Sequence, residues 1–127
     1  MSDWQALGKR AVAAGFEWRP GMLDLLGLRY GRRDAPDSKM WIAGPNLSDG
    51  ASLGAYVAQL RERAGDETLV ALPLYRRGRV VYCIRRLTMS GTIALVFSGE
   101  DRTFATRAEA WVAFAEWFKE QESCSDR

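Results

Sequence analysis

The sequence predicts an α+β domain, built as an antiparallel sheet of about five strands with three helices in the order α-β-β-α-β-β-β-α. Three observations favour this class: helical apolar stripes bounded by caps and glycines, apolar runs joined by hairpin-length links, and a strongly capped apolar helix at the end. The 127 residues are 47% hydrophobic and 27% charged, an ordinary globular composition. We therefore predict one domain over residues 1–122 and a flexible tail over 123–127.

The first part of the chain predicts a helix followed by two strands. The helix begins at the cap Ser2 and stops at Gly15, because glycine readily adopts the left-handed conformation that ends helices. Residues 26–30 alternate between apolar side chains and Gly or Arg, which is typical of a half-buried strand, and residues 40–43 are expected to pair with them.

The second helix is predicted from about Asp49 to Ala64, with Ser48 as its cap and Gly65 as its stop. Its apolar stripe comprises Leu53, Tyr56, Val57 and Leu60. Three strands are expected next, at residues 68–75, 80–87 and 92–98, with links short enough for antiparallel hairpins. Because Pro73 has no N–H to donate, the first of these strands is expected at a sheet edge or at a bulge.

The last helix begins at a capping box formed by Thr106 and Glu109 and continues to about Glu122. Its apolar arc is wider than packing on a sheet requires. We expect Trp117 to be partly exposed, since it points away from Trp111, and exposed aromatic side chains often anchor protein interfaces. A homodimer formed through this helix would also cover Trp117.

The chain contains no histidine, which narrows the enzyme classes open to it. Histidine is the commonest general base near neutral pH and a frequent zinc ligand, so Ser-His and Cys-His nucleophile pairs are excluded. We predict no catalytic residue, no metal site and no cofactor; a small carboxylate-dependent enzyme is the third-ranked function. The acidic pairs in the loops lack the spacing of a calcium loop.

Charge is unevenly distributed along the chain. Residues 68–99 contain five arginines and no acidic residue, whereas residues 100–127 contain four basic and seven acidic residues. A tight turn beside Tyr75 carries three of these arginines, and two arginines from another part of the chain lie at the start of the loop that follows Tyr30. The candidate binding residues are Tyr75, Arg76, Arg77, Arg79, Arg32, Arg33 and Trp117. Such a patch suits phosphates or an acidic protein surface.

Three short stretches resemble small uncharacterised phage and prophage proteins. They are the first helix with the Trp-x-Pro-Gly-Met turn at residues 18–22, the Asn-Leu-Ser-Asp stretch at 46–49, and the start of the last helix at 106–111. The resemblance implies a phage or mobile-element accessory protein, acting in the cytoplasm of a bacterial host. Proteins of this kind commonly inhibit host systems stoichiometrically.

The resulting hypothesis is a non-enzymatic protein that binds a host protein or complex, in the manner of an anti-CRISPR inhibitor of a host defence complex. The alternative is a nucleic-acid-binding module that uses the arginine-rich hairpin. No apolar run is long enough to span a membrane, so a membrane partner is not expected.

Overall fold

The computed structural model describes residues 4–17, 19, 22, 44–87, 93–95 and 102–125. Within them the helices are α1 (Trp4–Ala13), α2 (Gly50–Ala64) and α3 (Arg107–Ser125), and the strands are β1 (Leu69–Arg76), β2 (Arg79–Leu87) and β3 (Ile93–Leu95). The chain divides into two compact units, Met1–Leu60 and Arg61–Arg127. The prediction of one domain over 1–122 with a tail over 123–127 stays a prediction. No helix among the described segments is long and apolar enough to cross a bilayer.

The prediction of a five-stranded sheet is wrong. The described sheet has three antiparallel strands in the order β1-β2-β3. β3 is described at Ile93–Leu95, and the rest of the strand predicted over 92–98 lies outside the described residues. The predicted strands that follow one another at short distance in the chain do pair, because a short link brings neighbouring strands together at little entropic cost. The alternation at residues 26–30 and the run at 40–43 specify no partner, and both lie outside the described residues.

In the first unit, α1 ends as the sequence predicts. The N–H of Phe16 donates to the carbonyl of Ala11 at 3.0 Å, and Gly15, with φ of 98°, lies between them. This pattern satisfies carbonyls that a helix end otherwise leaves without partners. Leu7 and Ala11 are buried on one face, and Trp4 at the start of the same stripe is half-buried.

The start of α2 differs from the prediction by one residue. Asp49 is the cap, since its Oδ2 accepts from both the N–H and the hydroxyl of Ser52 at 3.0 and 2.9 Å. Ser48 instead donates to the side chain of Asn46, which organises the turn before the helix. Gly65 follows the last residue of α2 with φ of 64°, as predicted for a helix stop.

The buried face of α2 contains polar residues that the predicted stripe omitted. Tyr56 and Leu60 are buried, but Leu53 and Val57 are only half-buried, and Gln59 is 2% exposed. The Gln59 amide satisfies both backbone groups of Glu17: its Oε1 accepts from the Glu17 N–H at 3.0 Å, and its Nε2 donates to the Glu17 carbonyl at 2.6 Å. Gln59 therefore holds the segment that follows α1, beside the ring contact of Phe16 with Tyr56 at 5.4 Å.

In the second unit, α3 begins at the predicted capping residue. The hydroxyl of Thr106 accepts from the N–H of Glu109 at 3.1 Å. Residues 110–115 are all buried, which matches the wide apolar arc. Trp111 and Phe114 meet edge to face with ring centres 6.1 Å apart.

The sheet of this unit is a hairpin extended on one side. Arg76 and Arg79 close a two-residue turn and so form a hydrogen-bonded pair, which places the backbone groups of Tyr75, Pro73, Ala71 and Leu69 on the outer side of β1. Tyr82, opposite Pro73, correspondingly exchanges two 2.8 Å backbone hydrogen bonds with Phe104 on the other side of β2. The outer carbonyl of Leu69 accepts from Nε of Arg61 at 3.0 Å. The prediction of β1 as an edge strand, made from Pro73, is confirmed over the described sheet.

Candidate functional site

The turn between β1 and β2 has an unusual residue at its first position. Arg77 and Gly78 both have positive φ, 51° and 77°. Two consecutive positive φ angles define the type I′ turn, whose twist matches that of the strands, and its first position favours asparagine, aspartate or glycine. Gly78 meets the requirement of the second position, whereas Arg77 holds a long charged side chain in a left-handed conformation. We call residues 75–80 the hairpin tip.

The two faces of the hairpin tip differ in chemistry. Cross-strand partners share a face, so Arg76 and Arg79 lie together on one side, the arginine face. Tyr75 and Val80 are partners on the opposite side, the apolar face, with 76% and 52% of their surfaces exposed. Large apolar side chains are seldom left this exposed in a directly opposed pair without a partner surface.

An open cleft of about 560 Å³ lies at the arginine face, lined by Arg76, Arg77, Arg79, Val81 and Thr103. Thr103 was not among the predicted site residues. Its neighbour Phe104 is held at Tyr82 by the two backbone hydrogen bonds, which brings the segment before α3 to the hairpin. The sequence carries no local sign of that isolated pairing, so Thr103 was accessible only from the structure.

The other two arginines of residues 68–99, Arg85 and Arg86, have different surroundings from those at the hairpin tip. Arg85 and Arg86 lie on opposite faces of β2, because successive residues of a strand point to opposite sides of a sheet. Arg86 forms an ion pair with Asp66, while Nε of Arg85 donates to Sγ of the buried, free thiol of Cys83 at 3.3 Å. The five arginines therefore do not form one continuous basic stripe.

Asp66 connects the end of α2 to the sheet. Hydrogen bonding from the Thr68 hydroxyl, and then from the Thr68 N–H and from Arg86, lowers the pKa of the Asp66 carboxyl below its usual value, against an opposing effect of burial. The carboxylate is thereby favoured, and Arg86 is held at the end of the hairpin remote from the tip.

Trp117 lies in a different environment from the hairpin tip. It is half-buried, with its ring centre 5.9 Å from that of Phe114. At the next residue of α3, the guanidinium of Arg63 lies 5.8 Å from the Phe118 ring centre, and it pairs at 3.3 Å with Glu122, about one turn further along the helix. Trp117 is about 15 Å along the helix axis from the first residue of α3.

The remaining predicted candidates, Arg32 and Arg33, lie outside the described residues. No group of three or more His, Cys, Asp or Glu side chains in the described segments is placed to share a metal ion.

No family model, curated protein or solved structure matches this chain. The interpretation of the hairpin tip accordingly rests on its own geometry and chemistry.

Proposed function

We propose that this protein acts by stoichiometric binding of another protein, with the hairpin tip as the contact surface. The observation that carries the proposal is the left-handed conformation of Arg77 in a turn that places three arginines together. Catalysis has no part in the proposal.

Two features of the hairpin tip lower its local stability. A left-handed conformation costs a residue with a side chain about 1 kcal/mol or more relative to glycine. Arg76 and Arg79 are directly opposed across the strands, and like charges in that position are also unfavourable, by roughly 0.2–1 kcal/mol. Local choices that weaken a fold without benefit to packing are expected where function has selected them. Both choices here add exposed positive charge.

The residue types of the hairpin tip suit a protein partner. Tyrosine and arginine are enriched among the residues that dominate binding energy at protein interfaces. Tyr75 is among the most exposed large apolar side chains of the described residues, and it lies on the face of the hairpin tip opposite Arg76 and Arg79. An exposed aromatic side chain and a group of arginines on the same short turn suit a protein interface better than a solvated turn does.

The biological setting is part of the same proposal. The resemblance to phage and prophage proteins supports an accessory factor of a mobile element that inhibits a host complex, such as a defence complex, in the bacterial cytoplasm. A homodimer through α3 would give Trp117 a partner in place of a foreign protein. A carboxylate-dependent enzyme ranks third.

The alternative proposal is nucleic-acid binding through the arginine face. The observation that favours it is the cleft lined by three arginines within a segment that has no acidic residue. Binding of this kind releases counterions and weakens steeply as salt increases. The identity of the captured molecule at moderate and at high salt therefore distinguishes the two candidates.

The test is affinity capture from a bacterial host carrying defence complexes, with a tagged copy at moderate and high salt. A protein retained at stoichiometric ratio, lost on Tyr75→Ala and Arg77→Ala but not on the exposed control Lys9→Ala, would support the proposal. Nucleic acid alone, lost at high salt, would favour the alternative. If every hairpin-tip variant retains the partner as well as the parent does, the hairpin tip is not the contact surface.

A further inference from the structure

We infer that the arginine face binds carboxylates, so that the partner presents an acidic segment to it. The inference rests on the proposed function and adds the chemistry of the partner. It separates the two faces of the hairpin tip: Arg76 and Arg79 take the acidic groups, while Tyr75 and Val80, on the opposite face, contact an apolar side chain of the same partner.

The spacing of the arginine face suits paired carboxylates. Hydrogen-bonded partners in an antiparallel pair have Cα atoms about 5.5 Å apart, so Arg76 and Arg79 project two guanidinium groups from neighbouring points on one face. Each guanidinium presents a planar fork of donors that matches a carboxylate through two parallel hydrogen bonds. Arg77 and Thr103 line the same cleft, and Val81 adds an apolar residue to its lining.

A bound carboxylate would also offset the like charges of the opposed pair. Arg76 and Arg79 face each other across the hairpin, and like charges in that position disfavour one another. A carboxylate placed between the two guanidinium groups adds an attraction to each of them.

The distribution of charge favours an acidic protein segment over a nucleic acid. Proteins that bind nucleic acid spread cations along several phosphates, but here the other two arginines of the hairpin, Arg85 and Arg86, do not extend the group at its tip. Arg86 pairs with Asp66 on the opposite face, and Arg85 donates to Cys83. The apolar face offers aliphatic Val80 beside Tyr75, which suits a side chain better than a sugar-phosphate backbone.

The experiment is a titration of the ¹⁵N-labelled full chain, followed by amide chemical shifts. The probes are a capped hexaglutamate peptide, a hexaglutamine peptide as the uncharged control, and an oligothymidylate of the same total charge as hexaglutamate. We expect hexaglutamate to shift the amides of residues 76–81 and Thr103, and hexaglutamine to leave them unchanged. Shifts spread over the surface, or centred elsewhere, would overturn the inference. So would tighter binding of the oligothymidylate, which would make nucleic acid the occupant.

Two variants separate binding from folding. Arg79→Glu converts the repulsive pair with Arg76 into an attractive one, so the hairpin is retained while hexaglutamate affinity falls by at least about tenfold, equivalent to about 1.4 kcal/mol. The control Lys9→Glu makes the same charge change at an exposed position of α1 and should leave the affinity within about twofold. Equal affinity in the Arg79→Glu variant and the parent would overturn the inference.

The two levels of the proposal fail differently. A host protein that is captured by the Arg79→Glu variant but lost on Tyr75→Ala would keep the proposed function and refute the carboxylate site. Absence of any captured protein, with hexaglutamate still bound at the hairpin tip, would refute the proposed function and retain the site.

Discussion

Replacement of Gln59 by leucine tests how the segment after α1 is held. Gln59 is buried, and its amide makes two hydrogen bonds to the backbone of Glu17, at 3.0 and 2.6 Å. Leucine has a similar volume, so the change removes hydrogen bonds without leaving a large cavity. Each such bond contributes about 1 kcal/mol net. The free energy of unfolding should therefore fall by about 2 kcal/mol.

The loss can be measured by urea unfolding followed by tryptophan fluorescence. With a slope of about 2 kcal/mol per molar urea, a loss of about 2 kcal/mol moves the midpoint down by about 1 M. The matched control is Gln5→Leu, at an exposed position of α1, which should change the free energy of unfolding by no more than about 0.5 kcal/mol.

A second substitution at the same position isolates the donor. In Gln59→Glu, a carboxylate can still accept from the Glu17 N–H but cannot donate to the Glu17 carbonyl. We expect a loss at least as large as that of leucine at neutral pH, with partial recovery in acid once the carboxyl is protonated and can donate. If Gln59→Leu is as stable as the Gln5→Leu control, the two hydrogen bonds between the Gln59 amide and the Glu17 backbone do not contribute significantly to stability.

Three further predictions concern backbone conformation and charge. Gly54→Ala should stabilise the protein by up to about 1 kcal/mol, because Gly54 lies inside α2 and an added Cβ meets nothing within 4 Å; Gly44→Ala should destabilise it, because φ is 79° and the new Cβ would lie 3.1 Å from a backbone carbon of α1. Asp66→Asn should lower the free energy of unfolding by about 1 kcal/mol at neutral pH, and the deficit should shrink in acid: the folded carboxyl has a lowered pKa, so its contribution is present above the unfolded value near 3.8 and is lost as pH falls through the folded value. Arg77→Asn should raise the free energy of unfolding by about 0.5–1 kcal/mol, since asparagine tolerates positive φ, while weakening partner binding.

Each of these predictions has a defined contrary result in thermal or urea unfolding. Equal effects of alanine at the two glycines would show that the close approach of Gly44 is relieved elsewhere. For Asp66, the exposed neighbour Glu67 provides the control, and a Glu67→Gln variant with the same pH profile would contradict a specific role. For Arg77, an asparagine variant that is less stable than the parent would show that arginine does not destabilise the turn.

The sequence predicted the elements that depend on local signals. Thr106 was recognised as a helix cap, Gly65 as a stop, and Pro73 as the sign of an edge strand, because each of these roles is determined within a few residues. The cap of α2 was misplaced from Asp49 to Ser48, since both residues are good caps and only the backbone decides which one faces the helix.

Features that depend on distant partners were missed. Gln59 was not part of the apolar stripe predicted for α2, and its partner Glu17 lies 42 residues earlier in the chain. The sheet was overestimated because alternation indicates a strand but not its neighbour. At the candidate site, the three hairpin arginines were predicted and do share a cleft, whereas Thr103 joins them only through the pairing of Phe104 with Tyr82.

The outer edge of β1 has a consequence for behaviour at high concentration. An exposed strand edge is a template for pairing with other chains and for aggregation. Here the carbonyl of Leu69 already accepts a hydrogen bond from the side chain of Arg61. Pro73 has no N–H to donate to an incoming strand. Growth of the sheet from copy to copy is therefore blocked at two points along this edge. The contact surface proposed at Tyr75 and Val80 therefore belongs to a hairpin whose outer strand edge is a poor template for fibril formation.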